Sequence, residues 1–340
     1  MTHRIIGRVK RVNGPVIEVM GITDAEMFEL VRVGEEGLVG ELINLEADNA
    51  VVQVYEDTTG IAPFDPVYGT GMPLSVELGP GMVGTIYDGI QRPLEAIRTV
   101  SDVYIRRGIT VPSLNRETRW HFVPSVKGGD RLRGGAVLGT VQETGNVLHR
   151  VLVPPGIEGV LESAVPEGEY TVEEVIAILR TADTQSKELS LMHRWPIRVQ
   201  RPVRTRRALD IPLITGQRVV DTLFPVAKGG TIAIPGGFGT GKTMTQQAIA
   251  KWCDADLIVY IGCGERGNEI TDVLTEFRTS VISLPRRPDG VPQAGGSPHR
   301  PVSHGADRPD RQHVQYARLC ARGEHLHRHH HGGVLSGPGI

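Results

Sequence analysis

Cysteine is scarce in this chain, with three in 340 residues at Cys253, Cys263 and Cys320. So few thiols support no disulfide framework and suit a reducing compartment. No apolar run reaches the roughly 20 residues that a membrane-spanning helix needs. The first stretch, "MTHRIIGRVKRVNGPVIEVMG", is basic but has no apolar signal core. It alternates like a strand and turns at Asn13, Gly14 and Pro15. Excess charge is absent as well. The net charge is −2, so bulk electrostatics call for neither nucleic acid nor a membrane surface as partner. Any membrane role would run through partners. With 39% hydrophobic and 22% charged residues, the chain has material for two or three globular domains.

Its texture changes along its length. Residues 1–72 carry short β-type runs, "RIIGRVKRV", "PVIEVMG" and "LVGELINLEADNAVVQVYE", parted by turn residues. That rhythm predicts a small β-barrel or sandwich. Residues 73–114 open a glycine-rich, proline-punctuated region with "PLSVELGPGMVGTIYDGIQRPL". Residues 115–190 read as strand, turn, strand, a β-rich module inserted into something larger. The basic stretch "LMHRWPIRVQRPVRTRRALDIPL" follows. It reads as a solvated connector, with a nucleic-acid patch as the alternative. Within 191–277 the pattern becomes α/β. "TIAIP" suits a buried parallel strand, "KTMTQQAIAKW" a helix and "DLIVYIG" the next strand. "NEITDVLTEF" places Ile270, Val273, Leu274 and Phe277 on one helical face. Together these predict a βαβ unit and a parallel sheet.

One motif carries chemistry. "GGFGTGKT" supplies Gly236, Gly237, Phe238, Gly239, Thr240, Gly241, Lys242 and Thr243 in the spacing G-x-x-x-x-G-K-[ST]. It sits between the expected strand and helix, where such a loop has to lie. Glycines let backbone N–H groups wrap phosphate oxygens without Cβ interference, and a helix N-terminus adds its positive end. Lys242 would reach the β- and γ-phosphates, and the Thr243 hydroxyl would ligate Mg²⁺. ATP or ADP is the implied ligand.

"GCGERGNE" follows the next strand. Ligands of parallel sheets sit at strand carboxyl ends, so Glu265 could orient a water for attack on a γ-phosphate. Equally, Glu265 with Arg266 could be a structural ion pair or a helix N-terminal charge. Glu265, Lys242 and Arg266 are the candidate catalytic residues. Glu269 falls within the following helix, and Cys263 is expected to be a small buried cysteine.

The order of these parts resembles the catalytic A subunit of V-type and A-type rotary ATPases. "GRVKRVNGPVIEV", "GPGMVGTIYDGIQRPL", "PLITGQRVVDTLFPVAKGGTIAIPG", "PGGFGTGKT" and "GCGERGNE" carry the likeness, which covers residues 4–277. The resemblance implies an α/β P-loop NTPase core with a parallel sheet, preceded by an N-terminal β-barrel. It makes 115–190 that subunit's characteristic insertion, and it leads one to expect a C-terminal helical domain, missing here. It also implies alternation with non-catalytic B subunits in a hexameric ring around a central stalk. ATP hydrolysis or synthesis would be coupled to proton or sodium flow through a membrane sector. The chain would then be cytoplasmic and peripheral to the membrane. By the same resemblance Glu265 activates water. Gly237 and Thr240 depart from the proline and serine common in the family. A hexameric RNA-translocating ATPase has a similar core, but the barrel lacks aromatic-rich RNA-binding strands and the insertion speaks against it.

After Phe277 the periodicity stops. Residues 278–340 hold nine arginines, no lysine and eight of the twelve histidines. "HLHRHHH" could bind metal, and a disordered linker is the plain alternative. A third reading is the right DNA in the wrong frame. Codons allowed by residues 304–340, read from their second base, can give a long run similar to the family's next segment. One inserted cytosine after Phe277 gives a second similar stretch in another frame. That implies at least two base-count errors, a tail without chemical meaning, and little ATPase activity from the literal polypeptide.

Overall fold

The computed structural model describes residues 4–101, 105–145, 147–183, 185–203, 205–237, 239–264, 267, 271 and 316–317. Six strands come first: β1 (Arg4–Asn13), β2 (Val16–Met20), β3 (Glu29–Val33), β4 (Leu38–Glu46), β5 (Asn49–Val54) and β6 (Pro66–Pro73). They close into an antiparallel barrel in the order β1-β2-β5-β4-β3-β6, with β6 back on β1. Gly14 and Pro15 make the tight β1–β2 turn between the paired Asn13 and Val16, with Gly14 at φ 57°. Alternate residues point inward, so Ile6, Val9, Ile17, Val19, Val31, Val33, Leu42 and Val52 form a core of mostly β-branched side chains. Barrel closure rather than a sandwich removes every free strand edge.

β7 (Ser75–Leu78) and the short helix α1 (Leu94–Ser101) follow. Between them Arg92 bonds Asp88 at 2.7 Å and reaches the barrel's Glu56 at 2.5 Å. The inserted module contributes β8 (Trp120–Pro124), β9 (Arg131–Arg133), β10 (Val137–Thr144), β11 (Val147–Leu152), β12 (Glu158–Ala164), β13 (Gly168–Tyr170), β14 (Val175–Arg180) and β15 (Ser186–Ser190). These build two four-stranded antiparallel sheets, β11-β10-β8-β13 and β15-β14-β12-β9. Their facing side chains, among them Phe122, Leu138, Val141, Leu161, Ile176 and Leu179, form a core of their own. β16 (His193–Pro196) then returns to pair antiparallel with β7, so the inbound and outbound chains lie side by side.

The basic stretch after the module is not a solvated connector throughout. Arg198 forms two bonds with the buried Glu41 at 2.7 and 2.6 Å and stacks on Phe28. Arg194 reaches Glu77 of β7 at 3.1 Å. Arg201 stacks on Trp195 and donates to His193 Nε2 at 3.1 Å. The physical reason is that buried carboxylates need partners, and this run supplies them. Burial, then the charges of Arg201 and His149, lower the His193 pKa from 6.5 to about 4. The unfolded chain therefore binds a proton at a higher pH than the folded one does. This contribution to stability is complete above pH 6.5, declines as pH falls, and is gone near pH 4. An NMR titration of the His193 ring should show a midpoint near 4. A midpoint at the ordinary histidine value would sink this account.

The last region holds β17 (Pro212–Leu213), α2 (Arg218–Leu223), β18 (Val226–Ala227), α3 (Lys242–Trp252), β19 (Ile258–Val259) and β20 (Tyr316–Ala317). β17 pairs with β18, and β19 runs parallel to β20. Two expectations change here. Residues 231–235 form no strand, and Ile232 is exposed. The strand expected at "DLIVYIG" shrinks to Ile258–Val259. A buried parallel strand needs ladder partners on both sides, and among the described residues 231–235 have none. The helix expected at "NEITDVLTEF" lies outside the described residues, save Thr271.

Candidate nucleotide-binding site

Helix α3 takes the bounds its sequence suggests, "KTMTQQAIAKW". Gln, Lys, Met and Ala favour helix, and its last turn carries Lys251, which complements the negative end. The other end is built differently. Gly241 takes the N-cap position in the left-handed conformation, φ 80° and ψ 18°, with no side-chain cap, and the first turn holds no acidic residue. The free N–H groups of this turn and the helix dipole are thus not met by a carboxylate from the same turn. Such an end favours an anion.

The loop before it needs its glycines. Gly239 also sits at positive φ, 78°. A Cβ on Gly236 would press into the Thr240 side chain. Thr240 Oγ1 donates to the Gly237 carbonyl at 2.9 Å, closing the loop on itself. Lys242 Nζ donates to the Gly236 carbonyl across the loop mouth. Gly236, Gly237, Gly239, Thr240 and Gly241 are exposed, and Lys242 and Thr243 are half-buried. The backbone N–H groups of the first turn and the Lys242 ammonium therefore stand at one helix start, with Thr243 next in the chain. Open space lies beside Gly237, Gly239 and Gly241, and such a donor set suits a polyphosphate.

A second layer seats the helix. Asp221 of α2 accepts from Thr215 N at 2.9 Å, Thr215 Oγ1 at 2.7 Å and Gly216 N at 3.1 Å. The Thr215 hydroxyl and these amides hold the Asp221 carboxyl below its usual range. The turn so ordered meets the far end of α3. Asp254 N donates to the Ile214 carbonyl at 2.8 Å, and Gly216 lies against Trp252. Lys228 pairs with Asp254 at 3.2 Å. Sequence reasoning missed this seat, although "TGQRVVD" carries a threonine-glycine turn with an aspartate in the first turn of the next helix.

Phe238, Glu265 and Arg266 lie outside the described residues. Beside the last two, Gly262 is buried and Gly264 has φ 64°. Cys263 is exposed, not buried as expected. It stands past the end of the shortened β19, where no described element covers it. Among the described residues no group of three His, Cys, Asp or Glu side chains could hold a metal ion, and the "HLHRHHH" tract lies outside them.

Three family models match in chain order. They are the "ATP synthase alpha/beta family, beta-barrel domain" over 9–71, the "ATPsynthase alpha/beta subunit barrel-sandwich domain" over 111–198, and the "ATP synthase alpha/beta family, nucleotide-binding domain" over 216–286. The chain is 57% identical over 272 residues to the A subunit of the A-type ATP synthase of Thermococcus onnurineus, covering 80% of this chain and 46% of that protein. It is 55% identical over 271 residues to the V-type ATP synthase alpha chain of Thermoanaerobacter sp. strain X514, with the same coverage. Against the A subunit of the A-type ATP synthase of Methanopyrus kandleri it is 52% identical over 277 residues, 82% of this chain and 47% of the other. The chain thus spans about half the length of the curated relatives it matches. A barrel, a two-sheet module and a glycine loop entering a helix, matched in that order, place the chain in the ATP synthase alpha/beta family, where it is similar to the A subunits of A-type and V-type enzymes.

Proposed function

We propose that the chain is the ATP-hydrolysing or ATP-synthesising subunit of a V-type or A-type rotary ATPase. The glycine loop that delivers Lys242 and Thr243 to the uncapped start of α3 carries this reading. ATP or ADP binds there through its phosphates. The Thr243 hydroxyl would hold Mg²⁺, which would supply charge neutralisation beside the phosphates when bound. Lys242 exchanges its bond to the Gly236 carbonyl for phosphate oxygens. Glu265 orients the attacking water, and Arg266 beside it is a further candidate catalytic residue. The partners are B subunits alternating in a ring, central-stalk subunits and, through them, a membrane sector that moves protons or sodium. No helix of the described residues is long and apolar enough to cross a membrane, which fits a subunit held peripherally on the cytoplasmic side. Nucleic acid has no place in this reading. The domains are the barrel at 1–72, the start of the nucleotide-binding domain at 73–114, the insertion at 115–190 and the P-loop core at 191–277.

Glu265→Gln, in the chain assembled with its partner subunits, should lower ATP hydrolysis about 100-fold or more while nucleotide affinity stays within a few-fold. Unchanged hydrolysis would remove Glu265 from the mechanism. A second reading, nucleotide binding without turnover, is favoured by one observation: residues 231–235 stand outside any sheet while Ile232, Val259 and Ile261 are exposed. Phosphoryl transfer depends on positioning, and a loop without its supporting sheet positions poorly. An out-of-frame 278–340 segment would account for this. A fresh DNA read across the codons after Phe277 distinguishes the two readings.

A further inference from the structure

The inserted module meets the rest of the chain through buried carboxylates rather than through a shared core. Its hydrophobic cluster draws only on residues between Trp120 and Leu191, and the barrel cluster ends at Val67. Glu77 of β7 sits where the chain crosses into and out of the module. It accepts two bonds of 2.7 Å from Arg116 on the inbound side and two, of 3.1 and 3.3 Å, from Arg194 on the outbound side. Arg116 continues to Glu173 of the module at 2.7 Å. One carboxylate therefore holds both crossings.

A second carboxylate holds the module from farther out. Glu143 of β10 has a side chain only 3% exposed. It accepts from the backbone N–H of Gly81 at 2.7 Å and of Val83 at 3.1 Å, and it faces His149 Nδ1 at 3.2 Å. Gly81 and Val83 belong to the "GPGMVG" loop that leads into the nucleotide-binding domain. Close by, the Trp120 ring borders Gly81. Trp120 Nε1 and Thr144 Oγ1 are buried and lack a hydrogen-bond partner among the described residues. Buried polar atoms without partners gain hydrogen bonds to water when a contact opens, which lowers the cost of opening it.

We propose that the module swings as a rigid body about the Glu77 clamp, with Glu143 as the latch that docks it on the 79–84 loop. A separate core keeps its packing while the module moves, because close-packed interiors move as units and polar contacts exchange for water more readily. Opening would free the loop's amides while the module's sheets stay intact.

Amide hydrogen exchange on the full chain tests this. Glu143→Ala should speed exchange at Gly81 and Val83 at least about tenfold, the worth of a charge-assisted bond. Amides inside the module, Leu161 and Leu179 among them, should keep their rates. Glu143→Gln keeps an acceptor oxygen and should fall between the alanine variant and the native chain. Unchanged exchange at Gly81 and Val83 overturns the latch. Equal acceleration in the module's strands overturns the rigid body, since the module would then be unfolding. If Glu143→Ala does not fold, the native chain decides the matter. Gly81 and Val83 should exchange through an opening that leaves Leu161 and Leu179 protected, and a common rate for all four refutes the proposal.

Discussion

Lys242→Ala is expected to weaken Mg-ATP binding about 10- to 100-fold, measured by titration calorimetry on the purified chain. A charge-assisted hydrogen bond contributes about 1.5–3 kcal/mol, which converts to that range. The lysine is well placed to show its full effect. It is the first residue of α3, and its described side-chain bond goes to the Gly236 carbonyl at the loop mouth. Removing it takes away no buried partner, so the fold should persist. The helix start would keep its N–H groups and dipole, which leaves residual affinity rather than none. Unchanged affinity would mean that the nucleotide is held elsewhere, and the proposed function would fall with it. Loss of secondary structure by circular dichroism would instead assign the lysine a structural role.

Arg198→Ala should destabilise the barrel end of the molecule by about 2–3 kcal/mol, read from chemical denaturation. Glu41 is wholly buried and depends on the two-bond contact from Arg198, with the Tyr55 hydroxyl donating at 2.7 Å as its other partner. Stranding a buried carboxylate costs about 3–5 kcal/mol when the lost partner was buried. The Arg198 side chain is 45% exposed, so solvent already screens the pair and the figure is taken lower. The cation also stacks on Phe28, and that contact goes with it. Arg198→Met keeps much of the arginine stem without its charge, so it should be nearly as unstable as the alanine variant if the stranded carboxylate sets the cost. Stability close to the native chain's would show that packing of the stem sets it instead.

Much of this molecule is written locally. The bounds of α3 follow from eleven consecutive residues, and the loop before it follows from glycines, two of them at positive φ that other residues adopt less easily. The Gly14-Pro15 turn and the alternation of β1 and β2 are of the same kind, because turn chemistry and the two-residue period act over a few neighbours. The apolar run at 231–235 shows where that reasoning ends. Composition marks a segment fit for a parallel strand, but a strand exists only with partners beside it, and the described residues supply none.

What tertiary structure alone decided lies in pairings distant along the chain. The barrel order β1-β2-β5-β4-β3-β6 places β6 on β1, and no local pattern specifies that closure. Arg198 and Glu41 stand 157 residues apart, and Arg194 and Glu77 stand 117 apart. In the sequence those arginines belong to a run that reads as a solvated connector. Folding turns them into the partners of two buried carboxylates, because burial makes an unpaired charge costly and brings distant segments within bonding distance. Local spacing determined the glycine loop and its helix. Global burial determined which charges are paired and how the module is held.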